Sequence, residues 1–164
     1  MNPAWEALNQ LIEGKDFDPP ARLLSNIKPE AAVRVPAGAP YSVATNVAHT
    51  DIWNRVWLNQ IEGKPRGNPF PDFPVIEEAA WAGVRERFLE HLVRARELAE
   101  TQTNSKQVGR LIQIAVHTAY HVGQIKLLKR MLRGPQEALA EASGTHGVKR
   151  VAPVSRAFRS TTSK

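Results

Sequence analysis

Cysteine is absent from all 164 residues. That excludes disulfides, thiolate metal ligands and a cysteine nucleophile, and makes the cytoplasm the expected compartment. The opening segment, MNPAWEALNQLIEGK, lacks the basic start and long apolar run of a signal peptide. No stretch reaches the roughly 18 apolar residues needed to cross a bilayer, so a membrane partner is not expected. Acidic residues are missing from Ser143 to Lys164, where Lys149, Arg150, Arg156, Arg159 and Lys164 stand unopposed. Without these five, the rest of the chain carries 17 basic against 16 acidic residues, so the net charge of +6 belongs mostly to the tail. The expected organisation is one folded unit over residues 1–133 and a flexible basic tail over 134–164, with nucleic acid not an expected partner.

Strand-like alternation is also missing, and what remains reads as helix. Pro3 suits a helix start, and Trp5, Leu8, Leu11 and Ile12 follow at helical spacing. Ala21 to Ile27 adds a turn or two, and Lys28 to Pro40, with three prolines and a glycine, reads as a connecting loop. A second long helix is expected from the N-cap residue Ser42 to about Ile61, followed by the stiff loop NPFPDFP. A third runs from about Val75 to Glu100, with Trp81, Val84, Phe88, Leu92 and Leu98 inward. A fourth runs from about Ser105 to Leu132, closed by Gly134-Pro135. The predicted fold class is all-α, an antiparallel four-helix bundle.

The fourth helix is apolar on two sides. Ile114, Ile125, Leu128 and Leu132 share one side, whereas Ile112, Val116 and Leu127 fall on another. A helix apolar on two sides is buried on two sides, and a second copy of the chain is the expected cover for one of them. On the same helix His117 and His121 stand four residues apart, rotated by only about 40°, so both imidazoles project from one face. Two neutral imidazoles so placed can bind one ion, as in the helical HExxH motif, but Thr118 occupies the place of that motif's glutamate. Gln113 and Gln124 extend the pair into a polar stripe. Buried polar groups cost roughly 1–3 kcal/mol each unless satisfied, so the stripe is hard to explain as core filling. His49, mid-way along the second helix with Asn46 one turn before it, could face this stripe and supply a third ligand. His91 and His146 read as bystanders. Trp53, Trp57 and Trp81 read as core.

These residues closely resemble the DinB/YfiT-like superfamily of metal-binding four-helix bundles. PYSVATNVAHTDIWNRVWL resembles that family's helix-two segment, with Tyr41-Ser42 opening the helix and His49 seven residues after the serine. AVHTAYHVGQIKLLKRML resembles its helix-four signature through His117, His121, Gly123, Gln124 and Ile125. The resemblance spans roughly residues 3–133. It implies His49, His117 and His121 as ligands of one divalent metal ion per chain (nickel, zinc, iron or manganese), and a homodimer.

Three neutral imidazoles leave the charge of the ion uncompensated and leave coordination positions open, so a substrate oxygen, a water or a thiolate could bind there. Characterised branches of the family resemble thiol-dependent S-transferases and isomerases that work with bacillithiol, mycothiol or glutathione. With no cysteine in the chain, any thiol must be a low-molecular-weight one from outside. The first expectation is therefore metal-dependent thiol transfer or isomerisation of a small-molecule substrate, in detoxification or stress response. The alternatives are a metal-dependent hydrolase, for which no carboxylate lies beside the ligands on their own helices, and a non-enzymatic bundle that binds metal or a partner. Gln124, Tyr120, Asn46 and Gln113 are the candidates for ligand support or substrate contact; the catalytic residues themselves are unknown.

Overall fold

The computed structural model describes residues 2–14 and 17–133, and every described element is helical. The expectation of a flexible basic tail at 134–164 lies outside the described residues. Helix α1 (Pro3–Glu13) opens with the Asn2 side chain accepting from the Ala4 amide. It closes on Gly14 at φ +64°, where a Cβ would collide with the Pro19 Cδ. Two short helices follow, α2 (Pro20–Ser25) and α3 (Pro29–Val33), each opened by its own proline. The second of these is a correction: α3 lies inside the stretch expected to be loop. Pro29 pre-sets the first helical φ while Pro36 lies beyond the last turn, so the prolines bracket a helix instead of preventing one.

Helix α4 (Val43–Ile61) starts where Ser42 Oγ accepts from the Thr45 amide at 3.1 Å. Helix α5 (Trp81–Thr101) begins six residues later than expected, after a 3₁₀ turn at Glu78–Ala80. Pro74, just before the expected start, favours extended backbone ahead of it, and the chain enters the helix only at Trp81. Trp81, Val84, Phe88, Leu92, Ala95 and Ala99 then form its buried stripe, with Leu98 partly buried against the core. Trp81 Nε1 donates to the Ile27 carbonyl at 3.1 Å, which ties α5 to the end of α2. Helix α6 (Ser105–Arg133) is capped by Asn104, whose Oδ1 accepts from the Lys106 and Gln107 amides.

Helix α4 packs against both α5 and α6, and α1 packs against the same two, so the apolar core lies between four long helices. Being covered on several sides, α4 buries polar residues on two of its faces. Towards α6 it places Asn46, His49 and Asn54, the last hydrogen-bonded to Thr118 across the seam at 3.2 Å. Towards α5 it places Asp51, whose Oδ1 lies 2.6 Å from His91 Nδ1 and whose Oδ2 lies 3.6 Å from Arg87 Nε. His91 therefore joins two helices, apart from the histidines of α6. On the far side of α6, Val116, Tyr120, Leu127 and Met131 are exposed. Among the described residues no helix is long and apolar enough to cross a membrane.

Candidate metal centre

One residue of α4 and two of α6 meet where these helices face each other. His49, His117 and His121 each offer a ring nitrogen, and these three atoms lie within 4.8 Å of one another. Ion–imidazole bonds are about 2.1 Å long, so the rings need to draw in by about an ångström to share one ion. His49 is 6% exposed and His121 4%, while His117 is half-buried and forms the outward edge of the cluster.

Each ring is held differently. His49 Nδ1 lies 2.9 Å from the Asp72 carbonyl oxygen and 3.0 Å from Asp72 Oδ1. Both partners can only accept, so Nδ1 carries a proton, and in the neutral tautomer this leaves the lone pair on Nε2. Trp53 Nε1 donates to the same carboxylate at 2.7 Å and fixes it in place. Phe73 stacks on His49, with ring centroids 3.9 Å apart and planes nearly parallel, and stacks in turn on Tyr41. Asp72 and Phe73 come from the loop after α4.

His117 and His121 have no such partner: the Nδ1 atom of each is buried and makes no hydrogen bond. Burial, then the neighbouring imidazoles, push the pKa of His117 down to about 4. Burial and then His49 push His121 down to about 4, against Gln124, which favours the protonated ring by accepting from it. Both rings are therefore neutral at pH 7, with lone pairs available. Buried, neutral, unpartnered ring nitrogens are what a divalent cation would satisfy, so the residues present fit such an ion. The three histidines could hold one, with Asp72 behind His49 in the place where metal-bound histidines ordinarily find a carboxylate.

The four supporting candidates separate into two pairs. Gln124 Oε1 accepts from Asn46 Nδ2 at 2.9 Å and from the Tyr41 hydroxyl at 3.0 Å, which sets it beside His121. Gln113 and Tyr120 instead lie outward. Gln113 is exposed, with its Oε1 accepting from Arg110, and Tyr120 is 63% exposed with its ring edge-on to His121. The polar stripe divides along the helix axis: its Gln124 end meets α4 through Asn46, whereas its Gln113 end bonds within α6 to Arg110. These two residues line a groove of about 590 Å³ with Trp53, Trp57, Val116 and His117. Two of the tryptophans read as core thus have a face on this groove.

Asp72, Phe73 and the groove were not found from the sequence. The signal for Asp72 was a lone carboxylate in a loop stiffened by Pro69, Pro71 and Pro74, in reach of the end of α4. Replacing Asp72 with alanine is expected to weaken metal binding about tenfold, at the low end of what losing a ligand's carboxylate partner costs, because the backbone carbonyl still accepts from His49. A competition titration against a chelating dye measures this; unchanged affinity would show that the carboxylate does nothing for the ligand.

The DinB superfamily's family model matches residues 21–125. No curated protein and no solved structure matches the chain.

Proposed function

The chain belongs to the DinB superfamily, and from that premise we propose that it is a cytoplasmic metal-dependent enzyme that transfers or isomerises with a low-molecular-weight thiol. The observation that carries the reading is the cluster itself: three imidazoles, two of them neutral and with a buried Nδ1 that makes no hydrogen bond, converge beside an open groove in a chain without cysteine. A divalent ion held there would supply Lewis acidity and would favour the thiolate form of a bound thiol. The chain's own residues do the rest. Asp72 orients His49, burial keeps His117 and His121 unprotonated, and the Tyr41–Gln124–Asn46 group braces the inner side. Hydrolysis gains no support from Asp72, because its carboxylate sits behind His49 and already accepts from Trp53.

In this reading the four long helices form an antiparallel bundle, and a second copy covers the exposed apolar stripe of α6 through Val116 and Leu127. Metal-stripped and metal-loaded protein, offered several thiols with monochlorobimane, tests the reaction. Turnover that needs both metal and thiol is the expected result, together with a scattering mass twice the chain's 18.2 kDa. Turnover of an ester substrate by loaded protein without thiol would replace the reading with hydrolysis, and no metal-dependent turnover with any thiol would leave a binding protein.

A further inference from the structure

The groove beside the histidines has a chemistry of its own. Its lining is Trp53, Trp57, Val116 and Tyr120, with His117 and Gln113 as the polar members and no charged side chain. Its volume of about 590 Å³ is that of a small-molecule site. The aromatic rings also touch the candidate ligands: Trp57 stands edge-on to His117 with centroids 5.1 Å apart, and Tyr120 edge-on to His121 at 5.1 Å. Trp53 and Trp57 pair at 5.6 Å. The groove is therefore an aromatic wall ending at the cluster.

We propose that this groove seats the aromatic ring of a neutral substrate that carries a hydrogen-bond acceptor and a carbon bearing a leaving group. The thiolate sulfur bonds to that carbon, the bond from carbon to the leaving group breaks with its electron pair going to that group, and the thiol proton goes to solvent. The assignment rests on the thiol-transfer reading for its role and on the groove alone for its chemistry. Flat rings gain from aromatic neighbours beyond the area they bury. In the metal-free protein a carboxylate meets no cationic side chain among the lining residues, and removing its water is costly. That disfavours glutathione and bacillithiol, which carry carboxylates, as occupants of this wall. The acceptor follows from Gln113. Its Oε1 is taken by Arg110 NH1 at 2.8 Å, which leaves the amide N–H groups to donate. A second copy on α6 would meet the same Val116 and Tyr120. The groove, however, has His117 at its inner end, on the α4 side of the stripe, whereas Gly123 and Leu127 carry the stripe away from it.

Saturation-transfer NMR and tryptophan emission, on metal-free and zinc-loaded full-length protein, test the assignment. The probes are nitrobenzene, nitrocyclohexane and benzoate. Nitrobenzene is expected to bind both forms, about tenfold tighter than nitrocyclohexane, with benzoate weaker still in the metal-free form. Tyr120→Ala should cost about tenfold for nitrobenzene, and Tyr120→Phe should restore it, with zinc content the same in both. Equal binding of the flat and saturated rings, or an unchanged affinity in Tyr120→Ala, would overturn the proposal. So would absence of nitrobenzene binding in a dimer that Tyr120→Ala dissociates, which would give the groove to a second copy. Nitrobenzene selectivity in a protein that retains no metal would uphold the groove and remove the thiol-transfer reading; retained metal without selectivity would do the reverse.

Discussion

His121→Ala is expected to lower retained metal from about one ion per chain to less than a tenth, a loss of affinity beyond the 10–100-fold typical of removing a ligand's supporting partner. Elemental analysis after gel filtration reads the first figure and dye competition the second. The sharper half of the expectation concerns the metal-free protein. His121 is buried, and its Nδ1 makes no hydrogen bond. An unsatisfied buried polar atom costs about 1–3 kcal/mol, so removing the ring releases a penalty that offsets the packing lost. Metal-free His121→Ala should therefore stay within about 1 kcal/mol of the parent in urea unfolding. Phe88→Ala, at a fully buried apolar position on α5, should cost about 3–5 kcal/mol. A histidine kept for packing would behave like Phe88 and leave the metal content alone. Full metal retention in His121→Ala would sink the three-ligand reading, whatever happened to stability.

How much of this was legible beforehand depended on how local each signal is. The start of α4 was readable because an N-cap acts within three residues, from Ser42 to Thr45. The facing pair on α6 was readable because helix geometry alone places His117 and His121 together. His49 could be placed on an inward stripe, but its meeting with the α6 pair depends on the axial register of two helices. No local rule sets that register. Here the Asn54–Thr118 bond across the seam marks it. Asp72 was out of reach for a different reason: loop residues have no periodicity, and the path of a loop back onto a helix is decided by packing such as Phe73 on His49. The structural pairing of His91 was not legible because its charged neighbours in sequence suggested solvent, whereas its partner, Asp51, comes from α4. The groove is likewise a product of assembly, built from tryptophans on one helix and the outer flank of another.

The cluster should also make the metal-free protein sensitive to acid, well above the range in which carboxylates act. In the folded chain His117 and His121 titrate at about 4, against an ordinary 6.5, mainly because burial disfavours their charged forms. Between those values the unfolded chain binds protons that the folded chain refuses, so stability rises with pH there. It is complete above the ordinary histidine value and is withdrawn as pH falls from 6.5 towards 4. Each pH unit in that window is worth about 1.4 kcal/mol per imidazole, so His121 alone should withdraw about 2 kcal/mol between pH 7 and pH 5. His117 adds a smaller share, because solvent screens a half-buried ring. Asp18 and Glu62, whose carboxyls are held below their ordinary values by Lys126 and by Lys64 with Arg94, contribute mainly below this window. Urea unfolding of metal-free protein at pH 7 and pH 5 measures the difference, and His121→Ala should remove most of it. A bound ion should oppose the loss, since it holds the same lone pairs that protons would take. Equal stability at pH 7 and pH 5 in the metal-free parent would mean that the rings are solvated enough to titrate normally, and the case for a buried cation site would lose its electrostatic half.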